Sequence, residues 1–316
     1  MNIQTTIAPR LLPHQGGRAF LTDSGLETVL IFHEGIDLPE FAAFPLVLKA
    51  EGREILARYY RRHAAIARQN HLGFILESPT WRASADWGDK LGFDAYALDY
   101  ANRRAMDLLH DIRAETEGPL SPVLISGQLG PRGDGYQPAN VMSATEARAY
   151  HSAQITSLAE AGADMITALT INYSAEAIGI VYAAGDAGKP CVISFTVETD
   201  GALPSGQPLG EAIAEIDGLT GAAPAYYMIN CAHPTHFEAA LDRGEDWPRR
   251  IGGVRANASK MSHAELDEAE ELDEGNPAEF GEDHRRLRAL LPELKVMGGC
   301  CGTDHRHVEA ICMACA

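Results

Sequence analysis

The sequence lacks an excess of positive charge: 26 Lys and Arg stand against 44 Asp and Glu, a formal net charge of −18. Nucleic-acid and anionic-membrane surfaces need a basic footprint, so the balance argues against both as general partners. No window approaches the ~20 consecutive apolar residues of a membrane span. The first residues, MNIQTTIAPRLLPHQ, lack the basic-then-apolar layout of a secretory leader. A soluble, cytoplasmic protein is the expectation. Cysteine is scarce, with six residues at 191, 231, 300, 301, 312 and 315. They are sparse, late in the chain and in one case adjacent, which suits metal or redox chemistry in a reducing compartment better than a disulfide frame. Also missing are a G-x-G-x-x-G after the first strand, a P-loop Lys-Ser/Thr, G-x-S-x-G, H-E-x-x-H and an EF-hand loop. Their absence removes the signatures of the corresponding nucleotide, hydrolase and metal-binding classes.

What is present is a large apolar fraction, 46%, and a repeating pattern. Short apolar runs that end in small or polar residues alternate with longer helical stretches. The runs are Arg18–Asp23, Gly73–Glu77, Pro122–Gln128, Ala163–Thr170, Pro190–Val197, Ala225–Cys231, Arg250–Asn257 and Leu294–Gly299. Between them lie helix-like segments such as Glu51–Gln69, Ala144–Ala161 and Asn276–Leu291, and Ala161-Gly162 and Ala187-Gly188 read as helix stops. Eight such units predict an α/β fold, a (β/α)8 TIM barrel forming one domain over residues 1–316. An open doubly wound sheet is the alternative. The acidic run Glu265–Glu274 reads as a solvated surface insertion over 260–280.

Active sites of such barrels lie at the C-terminal ends of the strands. There the sequence places Asp23-Ser24-Gly25, Glu77-Ser78, a glycine-rich loop Ser126–Tyr136 that reads as a lip over the site, Glu198, Asn230-Cys231 and Gly299-Cys300-Cys301. Three cysteines arriving at one face suit a thiol-activating zinc site, since zinc takes tetrahedral sulfur and nitrogen coordination and holds thiols as thiolates. The glycines beside Cys300 and Cys301 would let adjacent side chains bend to one ion. On spacing alone, a buried core Cys231 and a vicinal Cys300–Cys301 disulfide stay open. His233, His236, His305 and His307 are further ligand candidates near these cysteines. Cys312 and Cys315 form a weak C-x-x-C signal, and Cys191 opens strand five at the structural end of the barrel. Asp23 and Glu27 could also cap or open the first helix.

Gly298–Thr303 (GGCCGT), with Asn230-Cys231 some 70 residues earlier, resembles the homocysteine S-methyltransferase family. Asp23-Ser24-Gly25, Glu77–Thr80, Ser126–Pro131, Ser194-Phe195-Thr196, Asp200–Gly206 and Ala256-Asn257-Ala258 follow in the family's order. The resemblance implies a barrel whose Zn2+ is held by Cys231, Cys300 and Cys301, with homocysteine sulfur as fourth ligand. It further implies methyl transfer to that sulfur from a cationic onium donor, an S-methylmethionine-like sulfonium favoured, giving methionine. Asp23 would receive the substrate ammonium, and the backbone around Ser24, Gly25 and Leu26, with Ser78, would hold its carboxylate. Asn230 and Asn257 would support the metal ligands, and Asp23 or Glu77 would compensate on the substrate for the family's strand-four glutamate, absent here. An anionic site favours a cationic donor, with Trp81, Tyr136 or Tyr173 as cation–π partners.

The sequence departs from the family at three places. Leu169 stands where members carry a strand-four glutamate, which opens the reading of a different acceptor thiol. Asp304-His305 replaces the usual small residue and proline after GGCCGT. No folate- or corrinoid-binding module follows within these residues, so a corrinoid donor would come on a separate protein. Two other readings compete: a barrel hydrolase or lyase working through Glu77 and Glu198 with structural cysteines, and a non-catalytic partner that senses thiols. Composition leaves a homo-oligomer open.

Overall fold

The structure, a computed structural model, describes residues 11–241, 244–269 and 271–315. Eight parallel strands close into a barrel in sequence order: β1 (Phe20–Leu21), β2 (Gly73–Glu77), β3 (Val123–Leu129), β4 (Met165–Ile171), β5 (Cys191–Phe195), β6 (Tyr226–Asn230), β7 (Ile251–Ala256) and β8 (Val296–Gly299). β8 returns to pair with β1, with Phe20 opposite Val296. Each strand is an apolar run because both of its faces are buried, one against the lumen and one against helices. The open-sheet alternative is thereby excluded.

One apolar cluster shows how the lumen is filled. Phe20, Ile75, Leu124, Met165, Val192, Tyr226 and Val296 come from seven different strands and pack together, closed by Leu12 from the preceding segment. Only an interior position brings together residues from all round the barrel. A second, larger cluster lies between strands and helices. Long helices at Ala50–Gln69, Ala95–Thr116, Ala144–Glu160, Ser174–Asp186, Leu209–Thr220 and Pro277–Leu290 form the outer ring. Their ends follow local chemistry. Ser143 and Glu146 make a reciprocal capping box, and Gly162 and Gly188 turn the chain out of their helices with φ of +94° and +67°.

Strand one is shorter than its apolar run, yet its ladder continues: the Gly299 N–H donates to the Asp23 carbonyl at 3.1 Å. β4 breaks register with β5 between Ala168 and Ile171. The break falls at Leu169 and Thr170, beside the site described next.

Candidate active site

The C-terminal strand ends surround a cavity of about 660 Å³. Its floor holds Cys231, just after β6, and Cys300 and Cys301, just after β8. The three sulfurs lie within 4.8 Å of one another, Cys231 and Cys301 being 3.9 Å apart. Tetrahedral zinc with Zn–S bonds of about 2.3 Å separates its sulfurs by about 3.8 Å, so the donor set fits that ion in chemistry and spacing. Hydrogen bonds from Cys300 and Cys301, with Tyr136 and Thr170, hold the Cys231 thiol well below the ordinary cysteine range. The same contacts push Cys300 up to about 12 and Cys301 well above the usual value. A bound cation would favour the thiolate form of all three.

Backbone strain holds these sulfurs in place. Cys231 (φ +53°) and Thr170 (φ +61°) both adopt the left-handed region, which a β-branched residue rarely tolerates. Asn230 clamps them. Its Oδ1 accepts from the Thr170 N–H (2.8 Å) and the Ser194 hydroxyl (2.6 Å), while its Nδ2 donates to Thr170 Oγ1 (2.9 Å) and lies 3.9 Å from Cys300 Sγ. The cysteine loop itself depends on missing side chains rather than unusual torsions. A Cβ on Gly298 would collide with Thr22 Oγ1, and one on Gly299 with Thr303 Oγ1; the turn itself falls at Gly302, φ +77°. Tyr136, from the glycine-rich loop, stacks on His263 at 4.1 Å, and His263 Nε2 donates to the Cys231 carbonyl at 2.7 Å.

Beside the sulfurs lies a buried ion-pair system. Arg255, on β7 and 5% exposed, places Nη2 2.8 Å from Asp23 Oδ1 and Nη1 3.0 Å from Glu77 Oε2. Its Nε and Nη2 also donate to the carbonyls of Gly299 and Ser24. The Tyr59 hydroxyl donates to the other Asp23 oxygen at 3.1 Å. Burial lifts Glu77 to about 7 against the pull of Arg255. Burial opposes the charge on Arg255 too, but the two carboxylates keep its pKa above the ordinary arginine value.

The homocysteine S-methyltransferase family model matches residues 21–315. The chain belongs to that family. Its fold is similar to that of the homocysteine methyltransferase MmuM from Escherichia coli: 18% identity and a TM-score of 0.74 to the oxidized form, covering 93% of this chain and 94% of that one. The metallated form of the same enzyme gives 18% identity and a TM-score of 0.70, covering 94% and 96%. No curated protein matches the chain.

Within this homocysteine S-methyltransferase fold, the cavity takes in Asp23, Ser24, Gly25, Asn230 and the three cysteines. Glu77, Ser78 and Asn257 are buried behind its lining. Ser78 is engaged internally, accepting from the Gln128 N–H and bonding Thr80. Three histidines near the cysteines are committed elsewhere: His233 to Thr235 and Asp283, His236 to the Lys260 carbonyl, His307 to Asp304 and the Glu274 carbonyl. All six cysteines are free, so no vicinal disulfide forms. Trp81 and Tyr136 line the cavity, whereas Tyr173 accepts from the Met142 N–H away from it.

Arg255 is the functional residue that sequence reading missed. Its signal was a lone arginine inside the apolar run RIGGVRAN, a place where a charge survives only with buried carboxylate partners. Glu27 and Arg82 also line the cavity.

Proposed function

We propose that this enzyme transfers a methyl group from a cationic onium donor to a thiol held at Cys231, Cys300 and Cys301. The observation that carries the reading is the group of three sulfurs in the cavity at the C-terminal strand ends, in a chain of this family. Zn2+, when bound by these three thiolates, would keep the acceptor sulfur ionised and nucleophilic at neutral pH. Homocysteine is the acceptor and an S-methylmethionine-like sulfonium the favoured donor.

The residues of the chain do the rest. Asn230 and the strained Thr170–Cys231 backbone hold the sulfurs within bonding reach of one ion. Tyr136 and His263 pack beside Cys231, His263 holding its carbonyl. The acceptor sulfur attacks the donor methyl carbon in line, the new S–CH3 bond forms as the old S–CH3 bond breaks, and the electron pair leaves on the donor sulfur as a neutral thioether. The anionic sulfurs and the Trp81 face favour the cationic donor over its neutral product. A second reading, transfer to a thiol other than homocysteine, is favoured by Leu169 and by the engagement of Asp23 with Arg255.

Zinc K-edge X-ray absorption on the zinc-loaded protein tests the reading. Three sulfur ligands are expected alone and four with L-homocysteine. Cys231→Ala, Cys300→Ala and Cys301→Ala should each lose zinc and turnover together. Full activity in any of the three, or zinc without sulfur ligands, overturns the site.

A further inference from the structure

Most charges that line the cavity are already matched within the protein. Arg255 is ion-paired with Asp23 and Glu77, and His263 is engaged by Glu198 and the Cys231 carbonyl. Asp134 accepts from the N–H groups of Tyr136 and Gln137, Asp273 from that of Gly275, and Glu40 lies 3.8 Å from Lys90. Glu271 is exposed at the mouth. Two groups remain. Glu27 bonds only its own backbone N–H and has no side-chain partner among the described residues. Arg82 is held by stacking, its Cζ 3.6 Å from the Trp87 ring centre and 4.7 Å from that of Trp81. Its Nε is buried without a hydrogen-bond partner, and no carboxylate among the described residues is in ion-pair range.

An open carboxyl and an open guanidinium on the walls of one cavity are complementary to a ligand that carries both an ammonium and a carboxylate. We propose that Glu27 and Arg82 form a split charge pair that a zwitterionic α-amino acid closes, its ammonium on Glu27 and its carboxylate on Arg82. The inference rests on the methyl-transfer reading above and adds to its specificity residues. Asp23 is ion-paired with Arg255 through Oδ1, which accepts no hydrogen bond among the described residues, and accepts from Tyr59 through Oδ2. Glu27 lies four residues on, in the short helix Leu26–Thr28, lines the same cavity and supplies the carboxylate that Leu169 does not. Arg82 provides the fork that a carboxylate binds in two-point fashion, oriented in advance by the two indoles. The zwitterion can be the acceptor, homocysteine, or the donor, S-methylmethionine.

Titration calorimetry of the zinc-loaded enzyme tests the pair. The ligands are homocysteine, 4-mercaptobutanoate (no ammonium), 3-aminopropane-1-thiol (no carboxylate) and S-methylmethionine, each against wild type, Glu27→Gln and Arg82→Gln. Wild type should bind homocysteine about 10- to 100-fold more tightly than either truncated thiol, the worth of one charged hydrogen bond. Glu27→Gln should lose the margin over 4-mercaptobutanoate alone, and Arg82→Gln the margin over 3-aminopropane-1-thiol alone. A loss confined to S-methylmethionine supports the pair and assigns it to the donor. Unchanged margins in both variants, for acceptor and donor alike, overturn it. Sulfur counting at the zinc edge separates the two levels: a fourth sulfur with homocysteine alongside unchanged margins keeps the methyl-transfer reading and removes only the pair. No fourth sulfur with any thiol removes both.

Discussion

At the scale of single residues, the site is held by side chains that never reach a substrate. Asn230 uses one amide to hold Ser194 and the strained Thr170 and to approach Cys300. Outer groups of this kind typically tune metal affinity by about 10- to 100-fold. Asn230→Ala is expected to weaken zinc by that factor in chelator competition, whereas Cys191→Ala, at the far end of β5, should leave zinc affinity unchanged. Gly298 makes a different demand, for space. Gly298→Ala drives a methyl into Thr22 Oγ1, and overpacking of this kind costs about 1–3 kcal/mol. Adding Thr22→Ala should recover part of that loss in urea unfolding, since it removes the nearest clash but leaves the Asp23 carbonyl 2.8 Å from the added methyl position. If the double variant is no more stable than Gly298→Ala, the crowding lies elsewhere.

At the scale of elements, the acidic stretch after β7 is part of the cavity wall. Leu266 and Leu272 line the cavity with Glu271 and Asp273. Its short helix His263–Glu268 starts at a Ser262–Glu265 capping box. A polar staple ties the far end to the cysteine loop: Arg306 reaches Glu274 at 2.9 Å and Asp304 at 2.7 Å, and His307 Nε2 donates to the Glu274 carbonyl at 2.9 Å. Asp304 is thus the local anchor of that staple; hydrogen bonds from His307 and Arg306 outweigh its burial and keep its pKa low. The Arg306–Glu274 pair is exposed, and pairs of that kind add only about 0–1 kcal/mol to global stability. Arg306→Ala should therefore leave Tm nearly unchanged while amide exchange over residues 262–276 accelerates and KM rises. Unaltered exchange there would show that the staple does not hold the segment.

At the scale of the whole molecule, pH couples the fold to its buried titratable groups. Burial lowers His63, His233 and His284 from 6.5 to about 4, so these rings are neutral when folded and take up protons only on unfolding. Their share of the stability is complete above pH 6.5 and is lost as pH falls from there towards 4. Glu27 and Glu77, raised from 4.5 to about 7, act with the opposite sign over pH 4.5–7. The three histidines outnumber them, so net stability should fall on acidification below pH 6.5. Each such proton is worth up to about 1.4 kcal/mol per pH unit. His284→Leu should flatten the decline in urea-unfolding free energy between about pH 6.5 and pH 5 by close to one proton. A decline as steep as wild type's would exclude His284 as a contributor. The barrel and its three sulfurs were legible in the chain itself, because strand alternation and the GGCCGT run are local patterns that backbone periodicity and glycine packing impose. The partners of those residues were not. Arg255 reads in sequence as one residue of a strand, and only closure of the barrel brings it to Asp23 and Glu77, 232 and 178 positions away. Charge pairing acts through space, so which carboxylate is satisfied and which stays open to a ligand was decided by the tertiary structure alone.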